Sequence, residues 1–248
     1  MTSLTASLPH SLFPSTDWHD DFNHRLFLVS HERGLDETLQ IMAGHPLVGR
    51  VHIFVGGMFG LDVASVRGVE GVLALDRGIR TQRFWEFMIR EMPLVESKED
   101  AVLKINTFVF ENREMFFGGG SGAGRDPEMT AKIQLLALHR MRTQGISWLS
   151  TDERFMRIQS MFKAGNIEFR RFDLNDTKKL QWTQLFLMRN GWGIDSVNVS
   201  NTHEESYGAV DAMALPFIAR AGILLIFSTR EEGVDRGGPQ CRQQVRVV

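Results

Sequence analysis

The chain has 248 residues, of which 43% are hydrophobic and 23% are charged, and its net charge is −2 at pH 7. This length and balance suit one α/β domain with additions, or two small domains, with a full hydrophobic core. Acids and bases are interspersed, which argues against a nucleic-acid partner, because such partners need a clustered basic face. The single cysteine, Cys241, excludes a disulfide framework and a cysteine zinc cluster.

The ends and apolar runs of the chain bear on its location. The N-terminal stretch MTSLTASLPHSLFPSTDW has neither a basic region nor a long apolar core, so no secretory signal is expected. The longest apolar run, AGILLIF, is far shorter than the roughly 20 residues of a membrane helix. We therefore expect a cytoplasmic protein that acts on a small-molecule substrate without a membrane partner.

Residues 1–47 are polar and aromatic, and we predict that they form an N-terminal helical extension that caps the main domain. Part of this segment has the composition of a metal site: His19, Asp20, Asp21, His24 and His31. A His-x4-His pair without a third well-spaced ligand is more typical of a solvated helix, so no metal is expected.

From residue 48 to residue 248 strands and helices alternate. The predicted strands are 51–55, 72–75, 167–174, 196–200 and 222–227, and QQVRVV at 243–248 can add an edge strand. The predicted helices are 79–92, 126–142, 150–165, 177–189 and 206–220, with Ser150 and Glu153 as a capping box. This order predicts an α/β fold, a doubly wound, Rossmann-like, mostly parallel sheet with helices on both faces.

The region 93–147 breaks the alternation, and we predict an irregular insertion there that can act as a lid. INTFVF at 105–110 is interpreted as a further strand, and Asp126-Pro127-Glu128 is typical of a helix start. Between them, five glycines in the seven residues 118–124 suit either a lid hinge or a disordered linker.

The stretch RVHIFVGGMFG ends a strand-like run on Gly56 and Gly57, and the next strand ends on Asp76, twenty residues after Gly56. Ligands of doubly wound sheets bind at the carboxyl ends of the strands. A glycine turn lets a ligand lie against the backbone, and a carboxylate at this spacing suits a ribose diol. The pattern predicts an adenosine-containing ligand; the alternative is that the glycines make only a tight turn and that Asp76 starts another.

Two nucleotide ligands fit the motifs poorly. An NAD site needs the motif G-x-G-x-x-G and an open helix N-terminus. Here the sequence is G-G-M-F-G, and Asp62 follows where the pyrophosphate would lie. The row GGGSGAGRD lacks the Gly-Lys-Ser/Thr ending of a P-loop. S-adenosylmethionine has no phosphate and fits these residues better.

Over roughly residues 48–230 the chain resembles class I S-adenosylmethionine-dependent enzymes, in FVGGMFGLD, GVLALDRG, EFRRFDLND and VNVSNTHEE. The resemblance implies a methyltransferase fold that binds S-adenosylmethionine as substrate or methyl donor. It implies glycine-loop roles for Gly56 and Gly57, a ribose role for Asp76, and an adenine-side position for Asp173 and Leu174. The glycine loop departs from the usual E/D-x-G-x-G-x-G pattern.

The pair Ser200-Asn201 after the fourth strand is similar to that of betaine-lipid aminocarboxypropyl transferases and azetidine-2-carboxylate synthases. This implies cofactor binding through Ser200, and attack at the γ-carbon of S-adenosylmethionine with Ser200, Asn201 and Tyr207 as catalytic residues. An ordinary methyltransferase, with an acceptor pocket built by residues 1–45 and 93–147, and a non-catalytic nucleoside-binding module are the alternatives. The acceptor, the pathway and the oligomeric state stay open at this point.

Overall fold

The computed structural model describes residues 3–7, 26–30, 32–118, 126–171, 176–199, 222–231 and 240–248. Six strands form its sheet: β1 Val51–Val55, β2 Gly71–Asp76, β3 Ile167–Arg171, β4 Ile194–Asn198, β5 Leu224–Glu231 and β6 Gln240–Val247. Their order across the sheet is β3-β2-β1-β4-β5-β6. Strands β1 to β5 are parallel to one another, and β6 is an antiparallel edge strand on β5. The predicted α/β class, the mostly parallel sheet and the edge strand are confirmed.

Nine α-helices are described: α1 Leu4–Ser7, α2 Leu35–Gly44, α3 Phe59–Arg67, α4 Ile79–Glu91, α5 Lys98–Glu111, α6 Arg113–Phe117, α7 Pro127–Thr143, α8 Asp152–Lys163 and α9 Thr177–Arg189. A short 3-10 turn, Met92–Leu94, follows α4, because Pro93 cannot continue the helix. The start of α7 is as predicted, since the Asp126 carboxylate accepts from the backbone N–H of Glu128. The predicted bounds of α9 are confirmed.

The hydrophobic core lies on both faces of the sheet. On one face, Phe54, Phe84 and Trp85 belong to a large cluster that also includes the buried sides of α3, α4, α5, α7 and α8. On the other face, Ile53 and Leu73 belong to a smaller cluster that includes residues of α1 and α9. Alternating side chains of the central strands therefore enter two cores, as expected for a doubly wound sheet.

The insertion between β2 and β3 differs from the prediction. Residues 105–110, interpreted as a strand, lie inside α5, and most of 93–147 is regular helix rather than irregular chain. Ala101, Ile105 and Val109 are buried at four-residue spacing, so the helical period decides the structure and the β-branched residues do not. The Ser97 side chain starts α5 by accepting from the backbone N–H of Asp100 at 3.1 Å.

Several boundaries also shift: β2 covers 71–76, β5 covers 224–231 and β6 covers 240–247. Thr151, and not Ser150, caps α8, because its side chain accepts from the backbone N–H of Arg154. The predicted capping box is therefore wrong by one residue. Strand β4 begins two residues earlier than predicted, because Ile194 already pairs with Val51 of β1.

Candidate functional site

The carboxyl edge of β1 and β2 holds two of the predicted site residues side by side. Gly56 follows β1 directly, with φ of 92° in the left-handed region that favours glycine. Its N–H donates to the Leu75 carbonyl at 3.2 Å, and Asp76 is the next residue along β2. This edge lies where the sheet order turns from β1 to β4, which is the usual ligand position in open α/β sheets.

Asp76 also has a local role. Its side chain is half-buried, and its Oδ1 accepts from the backbone N–H of Gly78 at 2.6 Å, immediately before α4. This is the side-chain-to-backbone turn that Asp commonly makes. Asp76 thus starts a turn, and whether it also contacts a ribose stays a prediction.

Gly57, next in the turn, packs against the protein's own chain. A Cβ atom at this position would overlap the Phe27 carbonyl oxygen and lie 2.8 Å from that of Leu28. The Leu28 carbonyl also accepts from the backbone N–H of Met58 at 2.9 Å, immediately before α3. The close approach of residues 27–28 therefore accounts for a glycine at position 57 without any ligand.

The covering segment, residues 26–30, is held from its other side by the insertion. The backbone N–H of Leu28 donates to Gln134 Oε1 of α7 at 3.1 Å, and that of Leu26 donates to the Phe116 carbonyl of α6. The buried guanidinium of Arg80 in α4 also donates to the Phe116 carbonyl, at 3.1 Å. The insertion, the covering segment and the glycine turn thus form one continuous set of contacts.

Asp62 does not lie where the sequence suggested. A helix, α3, does begin directly after the glycine turn, and Asp62 is a buried residue on it with only 2% exposure. Its Oδ1 accepts from the backbone N–H of Trp148 at 2.6 Å. Burial raises the pKa of this carboxyl to about 7, although the Trp148 N–H and Arg154 oppose the shift. Asp62 therefore joins α3 to the loop before α8.

A buried polar stripe on the central strands is a feature that sequence reasoning missed. His52 of β1 and Ser196 of β4 are fully buried, with His52 Nδ1 2.9 Å from Ser196 Oγ, and Asn198 ends β4 opposite Phe54. Burial lowers the pKa of His52 to about 4, so the imidazole is neutral at pH 7. The signal was present as Ser196 and Asn198 alternating with valines. Of these residues only Asn198 lies at the carboxyl end of its strand, close to the switch point that carries Gly56.

Several predicted site residues lie outside the described residues: Asp173, Leu174, Ser200, Asn201 and Tyr207. The same is true of the possible metal ligands His19, Asp20, Asp21, His24 and His31 and of residues 119–124 of the glycine-rich run. The strands that lead toward Asp173 and Ser200 are described. Both β3 and β4 run in the direction of β1 and end at the edge that carries Gly56 and Asp76.

Among the described residues, no group of three or more His, Cys, Asp or Glu side chains is placed to hold a metal ion. In the same part of the chain, none of the helices combines the length and apolar character needed to cross a membrane. A comparison with protein-family models and with curated proteins finds no match for this chain.

Proposed function

We propose that this protein binds S-adenosylmethionine at the carboxyl edge of its sheet and uses it as a substrate. The observation that carries the proposal is that the Gly56 turn and Asp76 lie side by side at the switch point between β1 and β4. A carboxylate at the end of the second strand suits the two hydroxyls of a ribose. The buried amide of Asn198 ends β4 at the same edge and adds a neutral polar group.

The contacts of the glycine turn favour a cofactor without phosphate. In dinucleotide-binding folds, the N-terminus of the first helix after the glycine turn binds a pyrophosphate. Here the Leu28 carbonyl oxygen lies at the start of α3 and accepts from Met58 N–H. A carbonyl oxygen repels a phosphate and attracts a cation, and S-adenosylmethionine carries a sulfonium and an ammonium group.

The reaction that we propose first is intramolecular. The neutral α-amine of S-adenosylmethionine attacks its own γ-carbon, the carbon–sulfur bond breaks, and the electron pair stays on sulfur. The products are azetidine-2-carboxylate, methylthioadenosine and the proton lost from the amine. The sulfonium already activates the leaving group, so the protein has to supply a neutral amine and a bent substrate.

Ser200, Asn201 and Tyr207 are the residues that we assign to that task. A free α-amine has a pKa of roughly 8, so desolvation alone can supply the neutral form. Neutral hydrogen-bonding groups such as Ser200 and Asn201 can hold a zwitterion without favouring its protonated amine. The aromatic face of Tyr207 can stabilise the sulfonium cation.

Methyl transfer to a small acceptor is the second candidate, and one observation favours it. The covering segment and the insertion meet beside the glycine turn, through the Leu28–Gln134 and Leu26–Phe116 hydrogen bonds. These are the two regions expected to build an acceptor pocket. A third candidate is a nucleoside-binding module, which has the same fold but catalyses no reaction.

One incubation separates the three candidates: purified protein with S-adenosylmethionine alone, followed by chromatography of the nucleoside products. Methylthioadenosine released without an acceptor supports attack at the γ-carbon. S-adenosylhomocysteine formed only after addition of a cell extract supports methyl transfer, and binding without either product supports the module. A protein that neither binds nor converts S-adenosylmethionine contradicts all three.

Asn201→Ala tests the residue assignment in the same assay. We expect it to lower the rate of methylthioadenosine release more than it lowers affinity, which is the sign of an interaction used in the transition state. Asn190→Ala is the matched control, because Asn190 is an exposed residue that follows α9 and its side-chain amide donates to the Phe186 carbonyl of that helix. Equal turnover by the wild type and Asn201→Ala would remove Asn201 from the mechanism.

A further inference from the structure

Helix α7 carries apolar residues on two opposite faces. Its inner face buries four residues against the core: Ala131, Gln134, Leu138 and Met141. On the other side Met129, Ile133 and Leu136 are 57%, 46% and 50% exposed, and we call these three the outer stripe. At 3.6 residues per turn the two sets lie on opposite sides of the helix. A helix with apolar residues on both sides normally has a partner on each.

The outer stripe has the spacing of a helix–helix seam and is symmetric about its own centre. Met129, Ile133, Leu136 and the exposed Arg140 follow one another at intervals of four, three and four residues, as a and d positions do in a coiled coil. When two copies of α7 pack antiparallel about a two-fold axis between residues 134 and 135, Ile133 of each copy faces Leu136 of the other. Met129 then faces the aliphatic stem of Arg140. The stripe is thus complementary to itself, as an isologous interface requires.

The charges of α7 agree with this antiparallel arrangement. The acidic residue of its first turn is Glu128, and the basic residues of its last turn are Arg140 and Arg142. An antiparallel pair places the acidic end of each helix beside the basic end of the other, and it also aligns the helix dipoles favourably. Glu128 now pairs with Lys132 within the helix, and both side chains are about half exposed. Such an exposed ion pair contributes little to stability, so Glu128 can pair with a basic residue of the second copy instead.

A second exposed apolar stripe, on α9, lacks this complementarity. Trp182, Leu185 and Met188 are 58%, 49% and 51% exposed, but the helix has no acidic residue in its first turn. Its start carries Lys178 and Lys179 against a single carboxylate, that of Asp176, which already pairs with Lys179, and Arg189 lies at its end. Two antiparallel copies of α9 would therefore bring like charges together, which disfavours self-association.

We propose that the outer stripe of α7 is the interface between two copies of this chain, packed antiparallel about a two-fold axis. An α7 of 17 residues is about 25 Å long, so the helix pair alone gives a contact at the small end of specific interfaces. The dimer is therefore expected to dissociate on dilution rather than to be obligate.

Sedimentation velocity of the full chain, over a series of protein concentrations, tests this interface. The wild type should move from the 28.2 kDa monomer toward twice that mass as concentration rises. The Ile133→Glu/Leu136→Glu variant should stay monomeric over the same series, because it places charges at the centre of the contact. Trp182→Glu, the matched control on α9, should dimerise like the wild type.

Charge exchange tests the antiparallel direction. Glu128→Arg alone and Arg140→Glu alone should each weaken dimerisation, and the double variant Glu128→Arg/Arg140→Glu should recover it, because the pairs across the axis are restored in reverse. Circular dichroism checks that each variant keeps its helices. A wild type that is monomeric at every concentration, or a dimer that Ile133→Glu/Leu136→Glu leaves intact, overturns the proposal.

Discussion

At the scale of single residues, the glycine turn shows that one sequence feature can have two explanations. Gly56 and Gly57 were expected to make room for a ligand. Gly56 has a positive φ, and Gly57 lies directly beneath the Phe27 and Leu28 carbonyls. About thirty residues separate the two contacting segments, and nothing in either predicts the contact. The sequence could therefore predict the turn and its glycines, but not what covers them.

Gly57→Ala should destabilise the protein by about 1–3 kcal/mol, because the added methyl group forces the covering segment away from the turn. Gly44→Ala is the matched control, since a Cβ at Gly44, the last residue of α2, meets no atom within 4 Å. It should be neutral or slightly stabilising. Urea unfolding measures both, and a Gly57→Ala midpoint equal to that of the wild type would contradict the close contact.

Asp62 makes stability depend on pH in a definite direction. Its pKa is about 7 in the folded protein against 3.8 ordinarily, so between these values the folded state keeps a proton that the unfolded chain has lost. The contribution of Asp62 to the free energy of unfolding therefore falls as the pH rises from about 4 to 7. Asp62→Asn removes this dependence, and its amide oxygen can still accept from Trp148 N–H.

Urea unfolding of the wild type and Asp62→Asn at pH 5 and pH 8 measures this effect. The stability of the wild type relative to the variant should be greater at pH 5. The free energy of unfolding changes by up to about 1.4 kcal/mol per pH unit where the folded protein binds one proton more than the unfolded chain. A difference between the two proteins that does not change with pH would show that the Asp62 carboxyl is not perturbed by its burial.

At the scale of secondary-structure elements, the sequence predicted well those elements whose signals come from residues close together in the chain. The position of helix α4, the proline start of α7 and the bounds of α9 follow from the hydrophobic period and the helix-start residues. One failure was the stretch INTFVF at 105–110, which was interpreted as a strand. Its β-branched and aromatic residues favour a strand, but Ile105 and Val109 pack at helical spacing inside α5. Tertiary packing overrides local propensity there.

The cap of α8 gives a test at this scale. Thr151→Ala should cost about 1 kcal/mol of stability, because it removes the acceptor for Arg154 N–H at the start of the helix. Ser150→Ala should cost almost nothing, since the buried Ser150 hydroxyl has no hydrogen-bond partner among the described residues. Thermal unfolding compares the two. A larger loss for Ser150→Ala would restore the capping box predicted from the sequence.

At the scale of the whole molecule, the alternation of strands and helices was enough to predict a mostly parallel sheet with an edge strand. The order of the strands was not predictable, because β4 pairs with β1 across more than 140 residues of chain. That pairing creates the switch point and brings Asn198 toward the edge that holds Gly56. Sequence spacing placed Gly56 and Asp76 together correctly, since β1 and β2 are neighbours in the chain and in the sheet.

The most direct test of the central claim is calorimetric titration of S-adenosylmethionine into the wild type and Asp76→Ala. Asp36→Ala serves as a control, because Asp36 is an exposed carboxylate in the first turn of α2. We expect the wild type and Asp36→Ala to bind S-adenosylmethionine with equal affinity. Asp76→Ala, shown by circular dichroism to be folded, should bind more weakly by about 1–3 kcal/mol, through the loss of hydrogen bonds to a charged group. Absence of binding by the wild type, or equal affinity in a folded Asp76→Ala, would contradict this expectation.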